Sequence, residues 1–512
     1  MRSFRFRWVF CQLETLRYCL PPSVKRILAE LPETLDETYE RMLSEIPKSN
    51  QVYAHRLLQC LTVAVRPLRV EELAEVLAVD FGATGGIPKL KEDLRWEDQE
   101  QAVLSACSSL IAVIEGEDFR VVQFSHFSVK EFLTSDRLAT LKANGSHYHH
   151  ILLEPAHAIM AQACLGVLLR LDQDIDKEKI RSFPLARYAA DHFGDHAEFG
   201  NVLSYIRDGV DHLLDVDKTH FATWLWVRQG QEERPQELKA IPLYYVAEFG
   251  YLGLVNHLIS KHPENVNAKS EYGTPLHAAS RQGHVEILHL LLEHCAEVDA
   301  RDVRDQTPLH LAIDLKYLEV IRMLIESNAD KNARDIKGRT PLHRLLDEVA
   351  VDGGFDVAKF LLGHGADPCT KDNDLSTPLH AASYTGNLKT VQLLLKHGAD
   401  IHIHARNKKG QTPLHKILDE LRDPHSDIYE DTIRLLLEHG VDIDVLDDDR
   451  STPLHVAAHH GSATAARVLL KHGANIQLKN KRGRTPFEVA LSAGNRGLMQ
   501  LLSEDLQSEQ EI

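Results

Sequence analysis

The side chains with most chemistry in this sequence are its 30 histidines and seven cysteines. His192 and His196 lie four apart in ADHFGDH, flanked by Asp191 and Asp195. On a helix that spacing places both rings on one face, as two ligands of a zinc ion require. A third ligand is needed and the sequence designates none; Phe193 stands where HExxH carries its glutamate. The run HYHHILLEPAH, from His147 to His157, receives the same reading, a polar helix face. Ten other histidines recur at fixed places. His277, His310, His343, His380, His415 and His455 close a TPLH tetrapeptide, while His364, His397, His439 and His472 precede a glycine. Side chains placed by a repeat period are structural, so no metal is expected.

Nucleophiles and phosphate cradles fare no better. The sequence holds no G-x-S-x-G elbow and no G-x-x-x-x-G-K-[ST] loop, and GATGGIPKLK lacks phosphate-loop spacing. The cysteines at 11, 19, 60, 107, 164, 295 and 369 form no C-x-x-C pair. Their scatter fits reduced thiols packed as small hydrophobes in a cytoplasmic protein. No catalytic, cofactor-binding or metal residue is assigned, no cofactor is expected, and the sequence reads as a non-enzyme.

Bulk properties narrow the classes further. A chain of 512 residues exceeds one compact core, so two or three domains are expected. A formal charge of −17 disfavours a general nucleic-acid or anionic-membrane binder, because both surfaces reward excess Lys and Arg. The apolar run Ala156–Leu169 is shorter than the ~20 residues of a spanning helix and reads as a buried helix. The opening MRSFRFRWVFCQLETLRYCL fails as a secretion signal, since Arg5 and Arg7 interrupt its apolar residues. It leads into structural-looking sequence and reads as the edge of something longer, with a mitochondrial presequence the weaker alternative.

Self-similarity dominates the second half. TPLH begins at Thr274, Thr307, Thr340, Thr377, Thr412 and Thr452, TPFE at Thr485, and a degenerate IPLY at Ile241. The steps are mostly 33 residues. Thr suits an N-cap, accepting from first-turn amides, and Pro suits the next position, whose N–H would be unpaired anyway. The histidine can reach back to the cap and across to the adjoining unit. Gly283 and Gly386 should stop first helices, Gly398 and Gly473 second ones. VEILHLLL predicts a stripe of Val285, Leu288, Leu291 and Leu292. Extra residues in DEVAVDGGFD and DELRDPHSDIYED fall between the helices of two units, and others enter IHIHARNKKG; such lengthening is mild thermodynamically. One helix pair of this size cannot hide its apolar side alone, whereas stacked pairs can.

The repeat and its 33-residue period resemble ankyrin repeats over residues 236–505, about eight units starting near 241, 274, 307, 340, 377, 412, 452 and 485. The resemblance implies a protein partner held by hairpin tips and the inner helix surface. Mapped onto this sequence, the tips carry Val303, Arg304 and Gln306; Ile336, Lys337 and Arg339; and Asn373, Asp374 and Ser376. Further along come Lys408, Lys409 and Gln411; Asp448, Asp449 and Ser451; and Lys481, Arg482 and Arg484. The variable inner-helix positions include Arg281, Gln282, Asp314, Leu315, Tyr384, Thr385, His459 and His460. The tips alternate basic and acidic along the array, which favours a protein of complementary charge over a uniform polyanion. The partner-binding candidates are therefore Arg304, Gln306, Lys337, Arg339, Asp374, Tyr384, Lys408, Lys409, Asp448, Asp449, His459, His460, Lys481 and Arg482.

The first half reads helix, helix, helix, hairpin, helix. VYAHRLLQCLTVAV, RPLRVEELAEVLAV and QEQAVLSAC supply three helices; SSLIAVI, the turn EGED and FRVVQFS form the hairpin. HFSVKEFL follows, with Ser128 and Glu131 spaced as a capping box. That order is a winged helix. Its third helix, the one that would enter a DNA groove, has almost no positive charge, so internal packing is expected and no nucleic-acid partner.

FRWVFCQLETLRYC, LPETLDETYERML, RPLRVEELAEVLAV and FSHFSVKEFLTS resemble the segment that follows the NACHT module in fungal NACHT–ankyrin proteins, NLR-like members of the STAND ATPase class. FPLARYAADHFGDH resembles their helical linker, and the winged helix is similar to that named for GPI inositol-deacylase-like chains. The likeness implies a mainly α fold: a helical segment (1–48) after an absent NACHT module, a winged-helix-like domain (49–138), a helical linker (139–235), the ankyrin solenoid (236–505) and an acidic tail (506–512). It implies the recognition half of an NLR-like signalling protein, with no membrane insertion and with oligomerisation dependent on an upstream NACHT module. A nucleotide-switch NTPase, should that module exist upstream, and a winged-helix transcriptional regulator are the alternatives.

Overall fold

A computed structural model describes residues 34–82, 87–107, 109–116, 119–140, 149–171, 175–230, 241–347, 354–419 and 428–510. The segment FRWVFCQLETLRYC and residues 348–353 and 420–427 of the two insertions lie outside them. The chain divides into two compact units: one runs to Pro242 and includes Tyr251–His257, the other holds Leu243–Gly250 and the chain from Leu258.

The first unit opens with α1 (Leu35–Ser44), whose N-cap Thr34 takes the Glu37 N–H at 3.2 Å. Then come α2 (Gln51–Val63), β1 (Leu68–Arg69), α3 (Val70–Leu77), the short pair β2 (Val79–Asp80) and β3 (Lys89–Leu90), and α4 (Gln99–Cys107). β4 (Ile111–Glu115) and β5 (Arg120–Phe124) form the hairpin, followed by α5 (Phe127–Leu133) and α6 (Asp136–Thr140). The sheet order is β1-β5-β4, with Leu68 opposite Val122 and Val113 opposite the same residue from the other side. This is a winged helix, and β1, two residues long, is the strand that periodicity is too short to reveal.

One local expectation is corrected here. Ser128 does not cap α5; His126 does, its ring accepting from the Ser128 N–H at 3.3 Å. Ser128 is buried inside the helix, its hydroxyl 2.6 Å from His126 Nδ1 and 2.8 Å from the Tyr39 hydroxyl of α1. A tertiary partner thus took the hydroxyl that local spacing assigned to a cap.

The unit continues with α7 (Leu153–Leu168), α8 (Lys177–Ile180), α9 (Ala186–Ala197), α10 (Val202–Leu213) and α11 (His220–Gln229). The apolar run read as a buried helix is α7, which packs against α2, α9 and α10. Ten of its residues are buried, and among the described residues no helix is long and apolar enough to cross a membrane. Two motifs far apart in sequence meet here. Arg66 forks onto Glu72 at 2.6 and 2.8 Å and stacks over the Tyr188 ring at 4.9 Å. Glu75 accepts the Leu185 N–H at 2.7 Å and pairs with Arg95, which stacks on Phe183. Both carboxylates are buried, and such charges are tolerated inside only with partners.

The repeat region is built of helix pairs: α12 (Pro242–Phe249) and α13 (Leu252–Lys261), α14 (Pro275–Gln282) and α15 (Val285–Glu293), α16 (Pro308–Asp314) and α17 (Leu318–Glu326), α18 (Pro341–Asp347) and α19 (Gly354–Gly363). Then follow α20 (Pro378–Tyr384) and α21 (Leu388–Lys396), α22 (Pro413–Asp419) and α23 (Ile428–Glu438), α24 (Pro453–His460) and α25 (Ala463–Lys471), α26 (Pro486–Ala493) and α27 (Arg496–Gln510). α27 runs through most of the stretch read as an acidic tail. First helices pack on first helices and second on second, from α14–α16 to α24–α26 and from α15–α17 to α25–α27. In α15 the buried side chains are Ile287, Leu288 and Leu291, while Val285 and Leu292 are half-buried at the edges of the stripe.

Each TPLH histidine stitches two units. His277 Nδ1 receives the Thr274 N–H at 3.1 Å and its hydroxyl at 2.9 Å, so Nε2 carries the proton and donates to the Gln306 carbonyl at 3.0 Å. The same triad recurs from His310 to His455, whose Nε2 atoms reach Arg339, Ser376, Gln411, Ser451 and Arg484. The threonine is a cap as expected, in a box whose histidine does the work of glutamate. In TPFE, Glu488 takes the Thr485 N–H at 2.8 Å and has no donor to pass on. Gly283 stops α14 at φ 78, with the Tyr317 ring of the next unit where a Cβ would point. Lys316, one unit on, takes the same left-handed conformation at φ 57 without glycine's freedom.

Candidate functional site

Between consecutive pairs the chain makes a hairpin whose tip is held by one side chain. Asp302 Oδ1 accepts from the N–H groups of Arg304 and Gln306, each at 2.8 Å. Asp335, Asp372, Asn407, Asp447 and Asn480 repeat that pair of bonds. The tips are also tied to one another. Ile336 donates to Arg304 at 2.9 Å, Asn373 to Lys337 at 2.9 Å and Lys408 to Asp374 at 2.8 Å. Asp448 donates to Lys409 at 3.1 Å and Lys481 to Asp449 at 2.8 Å. The order of charges along the tips is thereby locked by backbone.

The fourteen candidates divide sharply. Lys408, Lys409, Asp448 and Asp449, with His459, His460, Lys481 and Arg482, line one concavity of about 920 Å³ on the last three units. Its floor includes Val456, Val489 and Ala493, and its walls include Asp419, Arg484 and Ser492. Asp448 is 3.2 Å from Arg406, and His460 Nε2 is 3.8 Å from Asp419. The rings of His459 and His460 meet edge to face with centroids 5.0 Å apart. Among the described residues the side chains of Lys409, Asp449, Lys481 and Arg482 make no ion pair, and all four are exposed.

The other six lie outside this concavity. Arg304, Lys337 and Asp374 are exposed on earlier tips, Asp374 within 3.8 Å of the Lys408 ammonium. Tyr384 is half-buried under Lys416, whose ammonium is 4.7 Å from the ring centroid. Gln306 is buried, so its side chain is no surface contact, and its carbonyl serves His277. Arg339 is engaged by Asp335 at 2.9 Å and Asp347 at 3.1 Å. Both occupy the slot before the threonine, in which Arg484 of the last unit is instead exposed. Asp419 was missed by sequence reasoning. It aligns with Arg281, Asp314 and His459 at the seventh position of a first helix, so the period itself contains the signal.

Elsewhere the chemically suggestive groups are spent on packing. His196 is fully buried, its Nδ1 2.9 Å from His157 Nδ1 and its Nε2 2.9 Å from the Tyr188 hydroxyl. Burial and the neighbouring His157 push its pKa down to about 3. His192 instead bonds Asp195 at 2.9 Å, so the two rings do not converge. Among the described residues no three His, Cys, Asp or Glu side chains come together as a metal would need. Burial pushes the Cys60 and Cys107 thiols up to about 12, away from the reactive thiolate.

Comparison with known proteins agrees with this geometry. Profiles of ankyrin repeats match residues 243–335, 345–422 and 436–490, and that of the GPI inositol-deacylase winged helix domain matches 39–144. The chain therefore carries ankyrin repeats joined to a winged-helix domain of the GPI inositol-deacylase type. It is 33% identical over 298 residues to azaphilone pigments biosynthesis cluster protein L of Monascus ruber, covering 53% of this chain and 61% of that protein. Over 75 residues it is 44% identical to human protein phosphatase 1 regulatory subunit 27, covering 15% of this chain and 43% of that one. The chain thus spans less than two thirds of these relatives. Ankyrin repeats are protein-interaction modules.

Proposed function

We propose that this chain is the recognition part of an NLR-like signalling protein, and that its repeats hold a protein partner at the concavity of the last three units. The observation that carries this reading is convergence: of fourteen side chains mapped from ankyrin hairpin tips and inner-helix positions, eight line one concave site. A mixed-sign surface of this kind selects a partner by complementary charge. The likeness of RPLRVEELAEVLAV and FPLARYAADHFGDH to NACHT–ankyrin proteins supports the signalling class, in which an upstream nucleotide switch would provide oligomerisation. Domain limits of 49–138, 139–235 and 236–505 follow the same likeness.

The chain acts without catalysis in this reading, since the TPLH histidines, His196 and Ser128 serve packing and His459 and His460 lie in the proposed contact surface. The winged helix is a packing element: α4 carries Glu100 but no Lys or Arg, and that glutamate is paired with Arg120 of the wing. A cytoplasmic setting is supported by thiols at Cys60, Cys107 and Cys164 that are buried and free. The test is affinity capture with the full chain and its K408E/K409E variant as parallel baits. A species bound by the first and lost by the second, at unchanged thermal unfolding, is the expected result; equal capture by both removes these tips from the site.

A further inference from the structure

The concavity has an order of charge as well as a shape. Its rim reads Lys408 and Lys409, then Asp448 and Asp449, then Lys481 and Arg482, and the backbone bonds between tips forbid any other order. Asp447 is consumed in holding its own turn, with Oδ1 accepting the Asp449 and Ser451 N–H groups at 2.9 and 2.7 Å. Asp449 has no such duty. Asp419, from the end of α22, adds a further carboxylate to the same concavity, with Lys416 at 3.6 Å and His460 at 3.8 Å beside it. A ligand negative along its whole length would be repelled at the centre, and one positive along its length at both ends. Single surface ion pairs are weak and screened, so selectivity must come from the set together.

We infer that this concavity takes an extended segment of a protein whose charges run acidic, basic, acidic. This deepens the reading above and rests on it. The basic element sits over Asp448 and Asp449, the acidic elements over the two basic tips, and uncharged spacing side chains face Val456, Val489 and Ala493 on the floor. Earlier tips do not extend the pattern to the same site, because Asp374 lies outside the concavity; its pair with Lys408 and that of Asp448 with Arg406 are exposed surface pairs that a ligand can replace.

The experiment is fluorescence anisotropy of the full chain with four short labelled peptides of equal length: Glu–Lys–Glu clusters, the mirror Lys–Glu–Lys, all-Glu and all-Lys. The Glu–Lys–Glu peptide should bind about ten-fold more tightly than its mirror, and the advantage should shrink at high salt. In the D448K/D449K variant preference should switch to the all-Glu peptide, a gain that a purely structural role of these aspartates cannot produce. Should that variant unfold, D449K alone serves. Equal binding of all-Glu and Glu–Lys–Glu by the native chain overturns the proposal, as does indifference to all four peptides. So does a salt-sensitive dimer of the chain alone in sedimentation, since a minus–plus–minus–plus strip from Asp374 to Lys481 complements its own reverse. If the peptides fail while K408E/K409E still loses a captured protein, the charge order falls and the protein-recognition reading stands.

Discussion

Arginine fastens the first unit, whereas in the second it is divided between fasteners, Arg339 and Arg344 on Asp335 and Asp314, and exposed contacts. In the first, Arg66 and Arg95 close on the buried carboxylates of Glu72 and Glu75 and stack on Tyr188 and Phe183, holding together segments over a hundred residues apart. In the second, Arg482 and its neighbours Lys409 and Lys481 stay in solvent, because the fold is held by threonine, histidine and backbone at every period. A core assembled from distant segments uses its charges as fasteners. A stack assembled from identical neighbours is fastened by the repeated slots, leaving the others free to vary for recognition.

That contrast breaks most visibly at Glu75. Replacing it by alanine strands Arg95 and the Leu185 N–H, and the first unit should lose about 3 kcal/mol or more, read as an early transition in denaturant unfolding. Charge reversal at Lys409 or Lys481 should shift neither transition by more than about 0.5 kcal/mol.

Acid should attack both units, since burial also pushes His55 and His196 of the first down to about 4 and about 3. Burial pushes His310 and His380 down to about 4, well below the ordinary 6.5, although the accepted carbonyls of Arg339 and Gln411 pull the other way. The folded state therefore binds fewer protons than the unfolded chain between those values. Stability is complete above pH ~6.5, falls as pH drops towards ~4, and is lost by at most about 3 kcal/mol per histidine. Melting followed from neutral to acidic pH should show this slope, and His380→Asn, which keeps the acceptor towards Thr377, should remove one histidine's share.

Smaller effects sharpen the comparison within the stack. Gly283→Ala adds a Cβ about 2.8 Å from the Tyr317 ring at φ 78 and should cost about 1–2 kcal/mol in thermal unfolding. Leu375→Gly runs the other way. Leu375 holds φ 60 at a tip where Gly338, Gly410 and Gly483 hold the same conformation, so relief of strain should stabilise by about 0.5–1 kcal/mol.

The repeat half was largely legible because its evidence recurs. The TPLH slots and the helix stops at Gly283 and Gly386 stand where the period puts them. Tip residues were read from the ankyrin likeness, and aligning the units on the seventh position of the first helix points to Asp419 as well. Gln306 and Arg339 were misjudged because a residue's sign says nothing of the direction in which its turn points it. The winged helix was legible in order, yet β1 is too short for a periodicity signal, and Ser128 bonds Tyr39 from a segment 89 residues away.

Composition, period and cap chemistry by themselves determine that this protein is a row of helix pairs preceded by a winged helix, because those features act over a few residues. Only the tertiary structure decides which charges are free. Whether an arginine is a fastener or a contact depends on what packs beside it, as Arg66 on Glu72 and Arg482 in the open show. The concavity itself, made where three tips and three first helices come together, exists only once the units are stacked.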